Sequence, residues 1–224
     1  MTPQEDAVGG AAVAVDQHGG SVPLAPNRRT LVATALVSLL VGVLGTLGVV
    51  QVRSSAPADF GADAGFARDM QAHHLQAVEM SLLVRDRTSD EEIRAVAYDI
   101  LTSQQQQAGQ MYGWLVQWGL PQTSSSPPMA WVGGGHAVAH ASADGVMPGM
   151  ASAQQVDDLE AADGIEAERL FLTLMIAHHR GGVAMADAAV VQARTDEVVA
   201  LASAISTSQS LETRFLEDML ADRS

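Results

Sequence analysis

The sequence contains no cysteine, which removes disulfides, thiolate metal sites, cysteine nucleophiles and a lipid-modified cysteine anchor. Lysine is absent as well, so all twelve basic residues are arginine. Aromatic residues make up only 4% of a chain that is 47% apolar, leaving Ala, Val, Leu and Met to supply the core. Strands favour β-branched and aromatic side chains, whereas Ala, Leu and Met suit helices. The scarcity therefore points away from a β-sandwich and towards packed helices. Basic charge is short beyond residue 53, where the whole net charge of −14 resides. Such a surface repels nucleic acid and anionic lipid and attracts cations. Catalytic signatures are missing too. No Glu has a His three residues later, as a ferritin-like di-iron site requires, and there is no H-E-x-x-H, G-x-S-x-G, P-loop or dinucleotide fingerprint.

What is present begins with a Gly/Ala/Pro-rich segment, residues 1–29, read as a disordered cytoplasmic tail. Arg28-Arg29 then precede an uncharged apolar run from Thr30 to Val52. A bilayer core needs about 20 apolar residues in a helix, so residues 30–52 are expected to form one transmembrane anchor. The alternative is an export signal, because Arg28-Arg29-Thr30 resembles a twin-arginine motif and Ala56-Pro57-Ala58 an A-x-A cleavage site. The first reading gives a single-pass membrane protein with its C-terminal domain outside the cytoplasm; the second gives a secreted protein.

Residues 59–224 carry an internal repeat. Residues 66–115 and 171–220 align without a gap at an offset of 105, with 15 of 50 positions identical. The identities include Phe66/Phe171, Met70/Met175, His73/His178, His74/His179, Met80/Met185, Ile100/Ile205 and Gln104/Gln209. In each copy the apolar residues recur at steps of three and four, the period of a buried helical stripe. Breaks fall at Arg87-Thr88-Ser89, with Ser89 and Glu92 spaced as a capping box, and at Arg194-Thr195, with Thr195 as N-cap. Hairpin 1 thus spans 59–118, a linker 119–152, and hairpin 2 153–222, opened by a short helix after Ser152 and Gln155, another capping box. Two hairpins joined by one long connection form a four-helix bundle of the ferritin-like kind. The expected fold is all-α: a ferritin-like bundle of two repeated hairpins behind one transmembrane helix.

Each copy also carries M-x-x-H-H-x5-M: Met70, His73, His74, Met80 and Met175, His178, His179, Met185. On a helix these side chains project towards one broad face, which is also the apolar one. Buried imidazoles need partners for their ring nitrogens. Imidazole suits copper, zinc, iron and nickel, and thioether sulfur selects Cu(I). All eight residues are therefore candidate metal ligands, with copper the expected ion and other transition metals open. Gln104 and Gln209, on the partner helices, are placed to orient the histidines. The linker adds His136, His140, Met147 and Met150 as a second candidate metal cluster, with Met129 nearby. Asp69, four residues before His73, is placed to orient it, although its repeat counterpart is Leu174.

The segments 66–80 (FARDMQAHHLQAVEM), 147–152 (MPGMAS) and 171–186 (FLTLMIAHHRGGVAMA) resemble the domain-of-unknown-function 305 family over roughly residues 59–222. The resemblance implies a ferritin-like bundle, exported or membrane-anchored in bacteria, with copper binding among some relatives and no settled enzymatic activity. The resulting expectation is an extracytoplasmic, membrane-anchored protein that sequesters or transfers copper through paired His and Met residues. Its partners are the metal ion and the membrane, not nucleic acid, and homo-oligomerisation is left open. A metal-dependent redox enzyme in the same site and a metal-free interaction module are the alternatives.

Overall fold

The computed structural model describes residues 27–53, 56–133 and 147–223. The expected tail, apart from its last three residues, and the linker histidines His136 and His140 lie outside them. The chain divides into two units, Met1–Arg53 and Ser54–Ser224.

The first unit contributes one described helix, α1 (Arg28–Arg53). The expected anchor over 30–52 is corrected here: among the described residues no helix is long and apolar enough to cross a membrane. The helix opens on Arg28 and Arg29, and the side chains from Leu31 to Thr46 are all exposed. Thr34, Ser38, Gly42, Gly45 and Thr46 interrupt their apolar character. The single-pass placement and the membrane as a partner fall with the span.

The second unit holds, among its described residues, five helices: α2 (Ala62–Arg87), α3 (Glu91–Trp118), α4 (Ala153–Ala161), α5 (Gly164–Gln192) and α6 (Asp196–Ala221). The architecture is thus an all-α arrangement of six described helices rather than four behind a membrane span. α2 packs along α3 and α5 along α6, as the two hairpins require, and the hairpins meet through α2 and α5. The breaks fall where the periodicity lapses. The first cap is shifted by one residue: Asp90, not Ser89, accepts from the Ile93 amide at 2.9 Å, while Thr88 Oγ1 accepts from the Asp90 amide. Ser152 and Gln155 form the expected reciprocal capping box of α4. Thr195 stands at the N-cap of α6, but its hydroxyl donates to Asp63 instead of capping its own helix.

Two apolar clusters fill the interior. One gathers Met80, Val84, Ile93, Ile100, Phe171, Met175 and Leu216. The other gathers Phe66, Met70, Met111, Leu115, Met185, Val198 and Ile205, closed by Met129 and Trp131 from the loop after α3. Full burial of Phe66 and of Phe171 each stabilises the fold by roughly 2–3 kcal/mol. Met70 of one copy shares a cluster with Met185 of the other, and Met80 with Met175. This crossed pairing makes α2 and α5 antiparallel, with the repeated motifs meeting at their centres.

Candidate functional site

Between the two apolar clusters, six polar side chains are fully or almost fully buried: His73, His74, His178, His179, Gln104 and Gln209. Antiparallel α2 and α5 bring the His pairs together, so the rings of His73 and His178 lie 3.7 Å apart, centroid to centroid. The methionines do not join them as one set. Met70 with Met185, and Met80 with Met175, belong to the apolar clusters on either side.

Each of these four imidazoles has an internal partner through Nε2. His74 donates to Gln107 Oε1 and His179 to Glu212 Oε2, each at 2.7 Å. Gln107 and Glu212 are themselves related by the 105-residue offset. His178 donates to the His73 carbonyl at 3.0 Å, and His73 to the Pro148 carbonyl at 3.0 Å. The acceptors of His73, His74 and His178 are neutral oxygens, so in the neutral ring the proton sits on Nε2 and Nδ1 presents a lone pair. All four Nδ1 atoms are buried without a hydrogen-bond partner. Burial pushes His73 down to about 4 and His74 to about 3, and it holds His178 well below the ordinary imidazole range. These three rings are therefore neutral at pH 7.

Gln104 and Gln209, expected to orient the histidines, are buried, but among the described residues neither atom of either side-chain amide has a hydrogen-bond partner. The orienting groups are instead Gln107 and Glu212, three residues further along the same helices. They escaped notice because one is an amide and the other an acid, so identity between the copies did not mark them; a common 33-residue separation from His74 and His179 did.

The linker returns to this layer. Met147-Pro148-Gly149-Met150 lies backbone against backbone on α5: a Cβ at Gly181 would come 2.0 Å from the Pro148 carbonyl oxygen, and one at Gly149 would come 2.3 Å from that of Ala177. Gln76 clamps the next residue, donating to the Ala151 carbonyl at 2.9 Å and accepting from its amide at 2.7 Å. Met147 packs against the cluster containing Phe66, and Met150 is half-buried. Asp69 does not face His73. Its carboxylate accepts from the Met129 amide at 2.7 Å and from Trp131 Nε1 at 2.8 Å, so it pins the other end of the linker. Burial raises the Asp69 carboxyl above its ordinary range.

The expected membrane-anchored copper-sequestering protein is corrected on a second count. Among the described residues no group of three or more His, Asp or Glu side chains could hold a metal ion. The physical reason is that the hydrogen bonds aim the four imidazoles at four separate acceptors. The donor set therefore does not fit a hard divalent cage, while the bare Nδ1 atoms leave soft nitrogen donors in the interior.

Comparison with known proteins bears on the same residues. No curated protein matches. A solved structure of a protein from Streptomyces coelicolor, described as a secreted DUF305 protein, is 48% identical, with 74% of this chain and 96% of that one covered and a TM-score of 0.68. A DUF305 fragment from Deinococcus radiodurans is 32% identical over 72% of this chain and 96% of its own, with a TM-score of 0.59. CopM in its Cu(I)-bound form shares the fold at 22% identity, covering 71% of this chain and 96% of that one, with a TM-score of 0.55. CopM structures with Cu(II) and with silver are similar to the same degree. With residues 63–220 matching the family described as a domain of unknown function, the chain belongs to the DUF305 family.

Proposed function

We propose that the helical domain is an interaction module whose four core histidines are packed as metal-free rings, with its binding carried on the outer helix faces. The supporting observation is the dispersal of the Nε2 hydrogen bonds over α3, α6, the Pro148 loop and the backbone of α2. Rings held in this way act as cross-links between helices. A ligand that binds only the native state raises stability by about 2.7 kcal/mol at a hundredfold excess over its Kd. The melting temperature of the purified chain is thus expected to be indifferent to Cu(I), Cu(II), Zn(II) and chelator. A rise of several degrees with any of these ions overturns the reading.

Copper(I) is the second reading, with His73, His74, His178 and His179 as ligands and Met70, Met80, Met175 and Met185 beside them. The four unpartnered Nδ1 atoms support it, as does the thioether-rich interior on either side, which suits a soft ion. The fold shared with CopM, whose solved forms hold copper or silver, points the same way. Under this reading Cu(I) titration shows a tight component that disappears when the four histidines become Ala. Loss of that component distinguishes the bundle from the linker residues Met147 and Met150 as the seat of binding. Secretion, the other localisation the sequence allows, is supported by the likeness to the Streptomyces protein. Fractionation of cells producing the full chain tests it.

A further inference from the structure

Helix α3 presents an outward stripe at steps of three and four, formed by Gln105, Gly109, Tyr112 and Val116 with Gly113 alongside, all exposed. Tyr112 is 52% and Val116 59% exposed. No charged residue occurs between Ile100 and Ala143, in a chain whose net charge is −14. The repeat provides an internal control. At the positions of α6 related by the 105-residue offset, Gly109, Tyr112 and Gly113 are replaced by Arg214, Glu217 and Asp218. Two helices that share Ala97/Ala202, Ile100/Ile205 and Gln104/Gln209 in the core therefore differ at these outer positions, which are neutral on α3 and charged on α6, beside the exposed Leu211 and Phe215 of α6. The glycines add a second anomaly. A Cβ at Gly109 or Gly113 would meet nothing within 4 Å, yet glycine is the poorest helix former after proline. Among the described residues no contact requires either of them.

We infer that this face of α3 docks against α3 of a second copy of the chain, across a two-fold axis. Charge selects the occupant. A basic partner would be drawn to the acidic faces, whereas two copies of an acidic chain repel each other except where both are neutral. Glycines one turn apart let two helix backbones approach closely, and a two-fold contact places the same residues on both sides. The inference rests on the interaction-module reading and names its partner. Metal titration tests the histidines and sedimentation tests this face, so the two can fail separately.

The test is equilibrium sedimentation of the full chain against Gln105→Glu and against the triple change Gly109→Arg, Tyr112→Glu, Gly113→Asp, which copies the residues of α6. The wild type is expected to be a dimer at micromolar concentration. Long side chains at positions 109 and 113 hold two helix backbones apart and bring charges that would lose their water in the contact, so the triple variant should dissociate about 100-fold more readily, and Gln105→Glu, which adds only like charge, about tenfold. Replacing exposed helical glycines favours the helix, so circular dichroism and the melting point of the monomeric variant should show an intact fold. A monomeric wild type overturns the inference. So does a dimer that survives the triple change, which would belong to another surface such as the exposed leucines of α1.

Discussion

His73 and His74 show what a buried imidazole contributes and when it is lost. Burial disfavours the charged ring, placing His73 near 4 and His74 near 3 against an ordinary 6.5. A folded-state value below the unfolded one means that the unfolded chain takes up protons first. The stabilisation is therefore complete above about pH 6.5 and declines as the pH falls through 6.5 towards the folded values. For His73 alone the shift corresponds to about 3 kcal/mol. Urea midpoints should be flat from pH 8 to 7 and fall steadily from pH 6.5 to 4.5; a flat profile across the lower window would contradict a neutral histidine core. At Gly181 the constraint is steric. The Pro148 carbonyl leaves no room for a methyl group, and both sides of the contact are backbone. Gly181→Ala should cost about 1–3 kcal/mol by overpacking. It should also expose the loop at 147–151 to proteolysis, whereas Gly109→Ala should leave that loop protected. The motif histidines were legible in the sequence, since repetition marked them. Their partners were not, because Pro148 and His73 contribute only carbonyls, which no side-chain pattern reveals.

At the scale of elements, the hairpins are tied together at both ends by one device used twice. Asp63, at the start of α2, accepts from the Thr195 amide at 2.8 Å and from its hydroxyl at 2.7 Å, capping α6 from outside its own hairpin. Glu168, exactly one repeat offset later near the start of α5, accepts from Thr88 Oγ1 at 2.6 Å in the opposite turn. It also accepts from Arg223 Nε at 2.8 Å. Asp63→Ala removes a cap and should cost about 1–2 kcal/mol. Glu168→Ala should cost more, roughly 3 kcal/mol, because it removes the buried acceptor of both Thr88 Oγ1 and Arg223 Nε, although Asp90 and Glu92 still pair with the half-buried Arg223. Chemical denaturation of the two variants checks both values and their order. Neither acid was singled out from the sequence, because each lies just ahead of the aligned repeat and the two differ in type. Helix extents were legible, since apolar periodicity governs them. The one-residue error at Asp90 arose because adjacent Ser and Asp are both good caps, and the turn geometry, with Thr88 folding back, chose between them.

For the whole molecule, the decisive variable is the direction of the second hairpin. Periodicity puts His and Met on the inner faces of α2 and α5 but leaves open how those faces meet. Antiparallel packing brings the His pairs into one layer and separates the methionines into the apolar clusters at either side. Composition and spacing alone determined that the chain is helical, repeated and acidic, with His and Met on its buried stripes, because each follows from local propensity and a 3.6-residue period. Only the tertiary structure decided which atoms the imidazoles address, which acids lock the hairpins and which helix face is left neutral. Those outcomes depend on contacts between residues 33 to 132 positions apart, and no local pattern encodes the relative orientation of two helices that far apart in the chain.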